Sequence, residues 1–269
     1  MGILSYTKGW PRLNKTIYNI IYSRRARKQQ KSNKKLLEQI KTLKNIHSGK
    51  RCFIIGTGPS LRIEDLELLK EEFTFASNRI FELFDKTYWR PTFYVCQDHL
   101  IIDKYTNQIN AMECKIGFLP IEHQDAFDSD MFRFFVLKEK FFYPNDAPFS
   151  IDVSKFIGQG YTVTYGAIQL AVYMGFTEIY LLGVDHNYNI IRNAKGKPVK
   201  RSESRINYSL GISEFLPIQN LPRIEESTIA YETAEKISRK QGVRIFNATR
   251  GGKLDAFERV DFDLLKLNG

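Results

Sequence analysis

Arg51-Cys52-Phe53-Ile54-Ile55-Gly56-Thr57-Gly58-Pro59-Ser60-Leu61 is the stretch whose reading decides the fold. A short continuous apolar run is the pattern of a strand buried on both faces, which belongs to parallel sheets covered by helices. Glycines end the run, and Leu66, Leu68 and Leu69 beyond them signal a helix. The order is therefore strand, glycine turn, helix. Glycine lets backbone approach a ligand closely, and the helix start offers free N–H groups and a partial positive charge. Gly56, Thr57, Gly58, Pro59 and Ser60 are accordingly candidate nucleotide-binding residues. The turn lacks the Lys-Ser/Thr pair of a Walker loop and the third glycine of a dinucleotide fingerprint. A tight strand-to-helix turn with no ligand is the competing reading.

Outward from this turn, residues 73–77, 92–96, 115–119, 133–137, 178–182 and 243–246 read as further strands, with convincing helices at 165–174 and 228–240. Alternation of this kind predicts a Rossmann-like α/β fold: a mainly parallel sheet with helices on both faces. Residues 187–223 are polar, without period, and far longer than an ordinary connection, so they are the candidate lid.

Polar residues gather where strands end: Ser77-Asn78-Arg79, Gln97-Asp98-His99 and Asp185-His186-Asn187. Ligands of open α/β sheets sit at the carboxyl ends of the strands, so these clusters and the glycine turn are expected to converge. His186 is a candidate general base near neutral pH. Asp98 and Asp185 are candidates to orient a hydroxyl, act as base or hold Mg²⁺, against the alternative of capping the following turn. His99 reads as a neighbour of the site. Asp128/Asp130 and Asp261/Asp263 read as solvated charges. No Ser-His-Asp set, GxSxG elbow or His/Cys zinc spacing is present, so hydrolase and metalloenzyme readings fall and the leading reading assigns no metal ligand.

The chain has 269 residues, 43% of them apolar, enough for a real core. Cys52, Cys96 and Cys114 stand singly in apolar runs and read as reduced core residues of a cytoplasmic protein. No apolar run approaches the roughly 20 residues of a membrane-spanning helix. The net charge of +10 is unevenly placed: residues 1–50 hold 13 Lys and Arg against one acid (13 − 1 = +12), which leaves 27 bases and 29 acids (−2) for the rest. The sequence thus divides into a basic helical extension, 1–48, and a nucleotide-binding domain, 49–269. No polyanion-wide field covers the domain, so nucleic acid is not an expected partner. Within the extension, Leu36, Ile40 and Leu43 recur at helical spacing beside Leu37. Such a stripe calls for packing on the domain, on a second copy in a homo-oligomer, or on an anionic membrane surface at the inner face of the cell membrane.

The combination Phe53-Ile-Ile-Gly-Thr-Gly-Pro-Ser-Leu61, Ala76-Ser-Asn-Arg79, Trp89-Arg-Pro91, Gly175-Phe-Thr-Glu-Ile-Tyr-Leu-Leu-Gly-Val-Asp-His186 and Asn247-Ala-Thr-Arg-Gly-Gly252 resembles the MptE-like domain family over about residues 45–260. That family is named for an archaeal 6-hydroxymethylpterin diphosphokinase. It is similar to small bacterial sialyltransferases that use CMP-sialic acid. The resemblance implies that Gly56, Thr57, Gly58 and Asn78 contact a CMP-linked donor, that Thr164 and Gly166 face its cytidine and phosphate, with Tyr165 where a serine is expected, and that Asn187 and Tyr188 stand where phosphate-binding tyrosines follow the Gly-x-Asp motif. The sequence departs from the sialyltransferase pattern in having no histidine after His186. The base role then passes to His186 or Asp98.

The resemblance implies an inverting, metal-independent glycosyltransferase of surface-glycan biosynthesis, with a nucleotide-sugar donor, a glycan or lipid-linked acceptor and no cofactor. The alternatives are an Mg²⁺-dependent diphosphokinase that moves pyrophosphate from ATP to a hydroxymethylpterin-like substrate, and a nucleotide-sugar-binding subunit without catalysis.

Overall fold

The computed structural model describes residues 12–140, 142–188, 190–192, 198–200 and 222–267. Its helices are α1 (Arg12–Ser32), α2 (Lys34–Lys41), α3 (Ile63–Leu68), α4 (His99–Lys104), α5 (Thr106–Asn110), α6 (Val163–Tyr173) and α7 (Ile224–Lys240). The principal strands are β1 (Arg51–Ile55), β2 (Thr74–Ser77), β3 (Phe93–Val95), β4 (Ile116–Pro120), β5 (Phe132–Phe135), β8 (Glu178–Leu182) and β11 (Arg244–Asn247). Each expected strand is thus present within a residue or two. The remaining strands are too short to leave a period in the sequence: β6 (Leu137–Lys138), β7 (Ile157–Gly158), β9 (Ile190–Arg192), β10 (Pro198–Lys200) and β12 (Glu258–Arg259).

Eight strands form one parallel sheet in the order β12-β11-β8-β1-β2-β3-β4-β5. The chain starts at β1, steps outward one strand at a time to β5, then returns across the sheet to β8 on the other side of β1. Right-handed crossovers put connections running in opposite directions on opposite faces. The connections between β1 and β5 therefore cover one face, and α6 and α7, which pack on each other, cover the other. This double cover is why Cys52, Phe53, Ile54 and Ile55 are all buried.

The α2 stripe is spent inside the molecule. Leu37, Ile40 and Leu43 join the main core, and α2 packs against β5. Just beyond it, Asn45 N–H donates to Tyr173 O (3.1 Å) and His47 N–H to Met174 O (2.9 Å), while the His47 ring stacks on Phe176 at 4.8 Å. The stripe therefore offers no surface to a second copy or to a membrane. Of the expected lid at 187–223, residues 189, 193–197 and 201–221 lie outside the described residues; β9 and β10 within it pair as an antiparallel ribbon.

Gln169 shows how α6 is fixed. Its fully buried amide accepts from Ser150 N–H and Gly158 N–H (both 2.8 Å) and donates to Gly158 O (2.9 Å) and Tyr165 O (3.0 Å). Gln169→Leu keeps the volume and strands two buried N–H donors, which costs about 3 kcal/mol or more and lowers Tm by roughly 6 °C or more. Thermal unfolding by circular dichroism checks this; an unchanged Tm would contradict it.

Candidate functional site

β1 and β8 are neighbours from which the chain departs in opposite directions, the arrangement that opens a crevice at the carboxyl edge of a doubly wound sheet. The turns that follow these strands are locked together. Gly56 N–H donates to Leu182 O (2.7 Å) and Gly58 N–H to Gly183 O (2.9 Å). A Cβ on Gly56 would stand 2.4 Å from Gly183 O, and one on Gly58 would stand 2.0 Å from Asp185 Oδ2. Ser60 completes the contact: its Oγ donates to Asp185 Oδ2 at 2.7 Å and its N–H reaches the same oxygen at 3.4 Å. The amides of Gly56, Gly58, Ser60 and, through Gly58 O, Leu61 are thus engaged within the protein. The glycines admit the Asp185 carboxylate, and the phosphate cradle that the sequence suggested is not formed by these four amides.

The loop after β11 buttresses the same aspartate. Thr249 Oγ1 accepts from Val184 N–H (3.1 Å), Asn247 Oδ1 accepts from Thr249 N–H (3.0 Å), and Lys253 N–H donates to Asp185 O (2.8 Å). Gly252 has φ +77°, and a Cβ there would lie 2.8 Å from Asp185 O. Arg250 grips the nearly buried Asp65 through two bonds of 2.7 and 2.9 Å and also pairs with Asp263. Asp263 is therefore an ion-pair partner of this loop rather than the solvated charge that its exposed segment suggested. The Asn247–Gly252 motif acts on the site by holding it up.

A second group meets over β2 and β3. Asn78, at φ +53°, accepts from the Tyr94 hydroxyl at its carbonyl (2.7 Å). The start of α6 leans on the end of β3: a Cβ on Gly166 would fall 1.9 Å from Gln97 Nε2, and that nitrogen is buried with no hydrogen-bond partner among the described residues. Thr162, the residue before α6, makes no side-chain cap, and the first turn holds no acid. Thr162 Oγ1 instead meets the Tyr231 hydroxyl of α7 at 3.2 Å. An uncapped helix start of this kind favours an anion. Thr164 and Gly166 lie in that first turn, whereas Tyr165 is turned into the core beside Phe149. Asp98 caps α4 by accepting from Leu100 N–H at 3.0 Å.

The family model described as 6-hydroxymethylpterin diphosphokinase MptE-like matches residues 24–190. The chain belongs to the MptE-like family. No curated protein matches its sequence. Among solved structures it is similar to the MAf glycosyltransferase from Magnetospirillum magneticum AMB-1, with 16% identity and a TM-score of 0.46 over 86% of this chain; the match spans 39% of that longer protein.

The remaining polar residues of this MptE-like chain fall apart into distinct places. His186 has φ +50°, is 6% exposed, and holds Thr228 Oγ1 at 2.8 Å with Tyr231 edge-on to its ring. Burial pushes its pKa down to about 4, with partial relief from Asp255. Half-buried Asn187 and Tyr188 follow it. Asp98 and Asp185 end strands separated by β1 and β2, about 14 Å at three interstrand steps. Among the described residues no three His, Cys, Asp or Glu side chains are grouped so as to hold a metal ion. His99, read from sequence as a bystander, places Nδ1 2.6 Å from His123 Nε2, and His123 Nδ1 lies 3.5 Å from Asp103 Oδ1. Burial, then His99, lowers the His123 pKa. The signal for His123 was its position just past a strand end, as for His99. An open groove of about 610 Å³ lies at the opposite, amino edge, lined by Lys50, Arg51, Glu72 and Arg244 among others; Arg51 and Arg244 there are paired with Glu72 and Glu258.

His186 makes stability depend on pH. Its folded pKa of about 4 lies below the ordinary 6.5, so the unfolded chain takes up the proton first. Stability is complete above pH 6.5 and falls as pH drops towards 4, by up to about 3 kcal/mol from this residue. His186→Asn, which tolerates the positive φ, should show a shallower loss in denaturant melts across that window; an equally steep loss would contradict the assignment.

Proposed function

We propose that the protein is a cytoplasmic glycosyltransferase of surface-glycan assembly that takes a CMP-linked sugar and transfers it with inversion to an acceptor hydroxyl, without a metal ion. The observation that carries this reading is the pairing, along one edge, of a carboxylate seated in a glycine turn with an uncapped helix start. Asp185 is suited to accept hydrogen bonds from ribose hydroxyls, and the first turn of α6, with Thr164 and Gly166, to receive the phosphate. Asn78 follows β2, and Gln97, against which Gly166 packs, stands beside Asp98 just past β3.

In the proposed reaction the acceptor oxygen attacks the anomeric carbon, the bond from that carbon to the CMP phosphate breaks, and the acceptor proton passes to a base. Asp98 suits that role better than His186, whose ring is enclosed and bound to Thr228. The proposed acceptor is a glycan or lipid-linked hydroxyl at the inner face of the membrane; among the described residues no helix is long and apolar enough to cross one.

Thermal shift with CMP, UDP, GDP and ATP, each with and without Mg²⁺, tests the donor class. Stabilisation by CMP that ignores Mg²⁺ is expected. Stabilisation only by ATP with Mg²⁺ would overturn the reading in favour of the diphosphokinase. Asp98→Asn keeps an acceptor for Leu100 N–H, so CMP stabilisation should persist while acceptor-dependent CMP release from a CMP-linked sugar falls by about a hundredfold or more.

A further inference from the structure

The first helix has a face that the fold leaves to solvent. Along α1, Lys15, Tyr18, Asn19, Tyr22, Ser23, Ala26, Gln29 and Gln30 are buried or half-buried, whereas Ile17, Ile20, Ile21, Arg24, Arg27, Lys28 and Lys31 are exposed, with exposed Thr16, Arg25 and Ser32 along the borders of that face. The exposed set recurs every three or four residues, so it forms one continuous stripe. It is graded along its length: isoleucines over the first turns, then arginine and lysine. Ile17, Ile20 and Ile21 are 46%, 45% and 55% exposed. The other large apolar side chains exposed among the described residues, Ile46, Leu68, Tyr88, Leu100, Ile151 and Leu264, are far apart along the chain and share no helix.

The inner side of α1 is fastened to the domain at both ends and in the middle. Lys15 Nζ donates to Tyr143 O (3.1 Å), Arg25 Nη2 to Glu122 Oε1 (3.1 Å) and Gln30 Nε2 to Lys155 O (2.6 Å), and Tyr22 hydrogen-bonds Glu139. These bonds fix which side of the helix faces outward. They also place it near the carboxyl edge, since Glu122 follows β4 by two residues.

We propose that the α1 stripe docks the protein on an anionic lipid surface, with the three isoleucines entering the headgroup boundary and Arg24, Arg27, Lys28 and Lys31 meeting lipid phosphates. Charge selects this occupant. Residues 1–50 carry +12 and the rest of the chain −2, so the attraction is local to this segment. A second copy would bring two basic stripes face to face, and a nucleic acid would gain nothing from the isoleucines. Aliphatic side chains beside lysine and arginine suit a lipid interface, where both groups are satisfied together. The docking stands independently of the donor nucleotide. If the glycosyltransferase reading holds, a lipid-linked acceptor would be presented one strand over from Asp98.

Flotation of the full chain with phosphatidylcholine vesicles, alone or mixed with phosphatidylglycerol, tests the proposal. Binding is expected only with the anionic mixture and weakens as salt is raised. Ile17→Asn/Ile20→Asn/Ile21→Asn should weaken it by about tenfold or more. Arg24→Glu/Arg27→Glu/Lys28→Glu should weaken it by at least about fivefold per charge. Both variants change only exposed side chains, and an unaltered Tm and CMP response would show that the domain is intact. No flotation by the wild-type chain, equal binding to both vesicle types, or binding indifferent to both variants would overturn the proposal. So would a dimer in sedimentation that the isoleucine variant dissolves while lipid binding is absent.

Discussion

The carboxylate of Asp185 lying in the turn Gly56–Ser60 is the contact on which the arrangement of this protein depends. It sits where the chain, having laid down four strands on one side of β1, resumes on the other side with β8. The turn after β1 can approach the turn after β8 this closely only because Gly56 and Gly58 have no side chain: a Cβ on Gly56 would meet Gly183 O and one on Gly58 would meet the Asp185 carboxylate. The backbone of the same residue is braced from behind by Gly252 and by Lys253, whose N–H donates to Asp185 O. Three turns from β1, β8 and β11 thus share one residue. An acid so braced keeps its position at the crevice whether or not a ligand is present, which is the preorganisation a binding site needs.

Most of the fold was legible because its signals are local. An apolar run such as Cys52–Ile55 between polar and glycine boundaries reports a doubly covered strand, and α7 announces itself by a long amphipathic period. The two- and three-residue strands left no period to read. The site was legible in kind more than in detail. Glycines followed by a helix suggest a phosphate turn, but whether their amides are free depends on what packs against them, and that partner, Asp185, lies 125 residues away in sequence. His186 looked like a base because histidine titrates near neutrality; its enclosure by Thr228 and Tyr231 could not be read from its own segment. Asp98 and Asp185 looked equivalent at two strand ends until strand order set them on opposite sides of β1 and β2.

The basic N-terminal segment shows the same limit from another side. Its charge separates it from the domain in composition, yet the two helices within it meet different fates. α2 gives Leu37 and Ile40 to the core, and the turn after it is tied to the end of α6. α1 gives the core little beyond Ala26 and keeps its isoleucines outside. A charge count treats both as one extension; burial distinguishes the helix that completes the domain from the helix that faces outward.

The proposed nucleotide site is the carboxyl edge around Asp185 and the start of α6. Amide hydrogen exchange of the full chain with and without CMP tests it most directly. Slowed exchange is expected in residues 56–61, 163–166 and 183–188, with residues 49–51 and 242–244 at the amino edge unchanged. Protection confined to the amino-edge groove, or none in these three segments at saturating CMP, would contradict it.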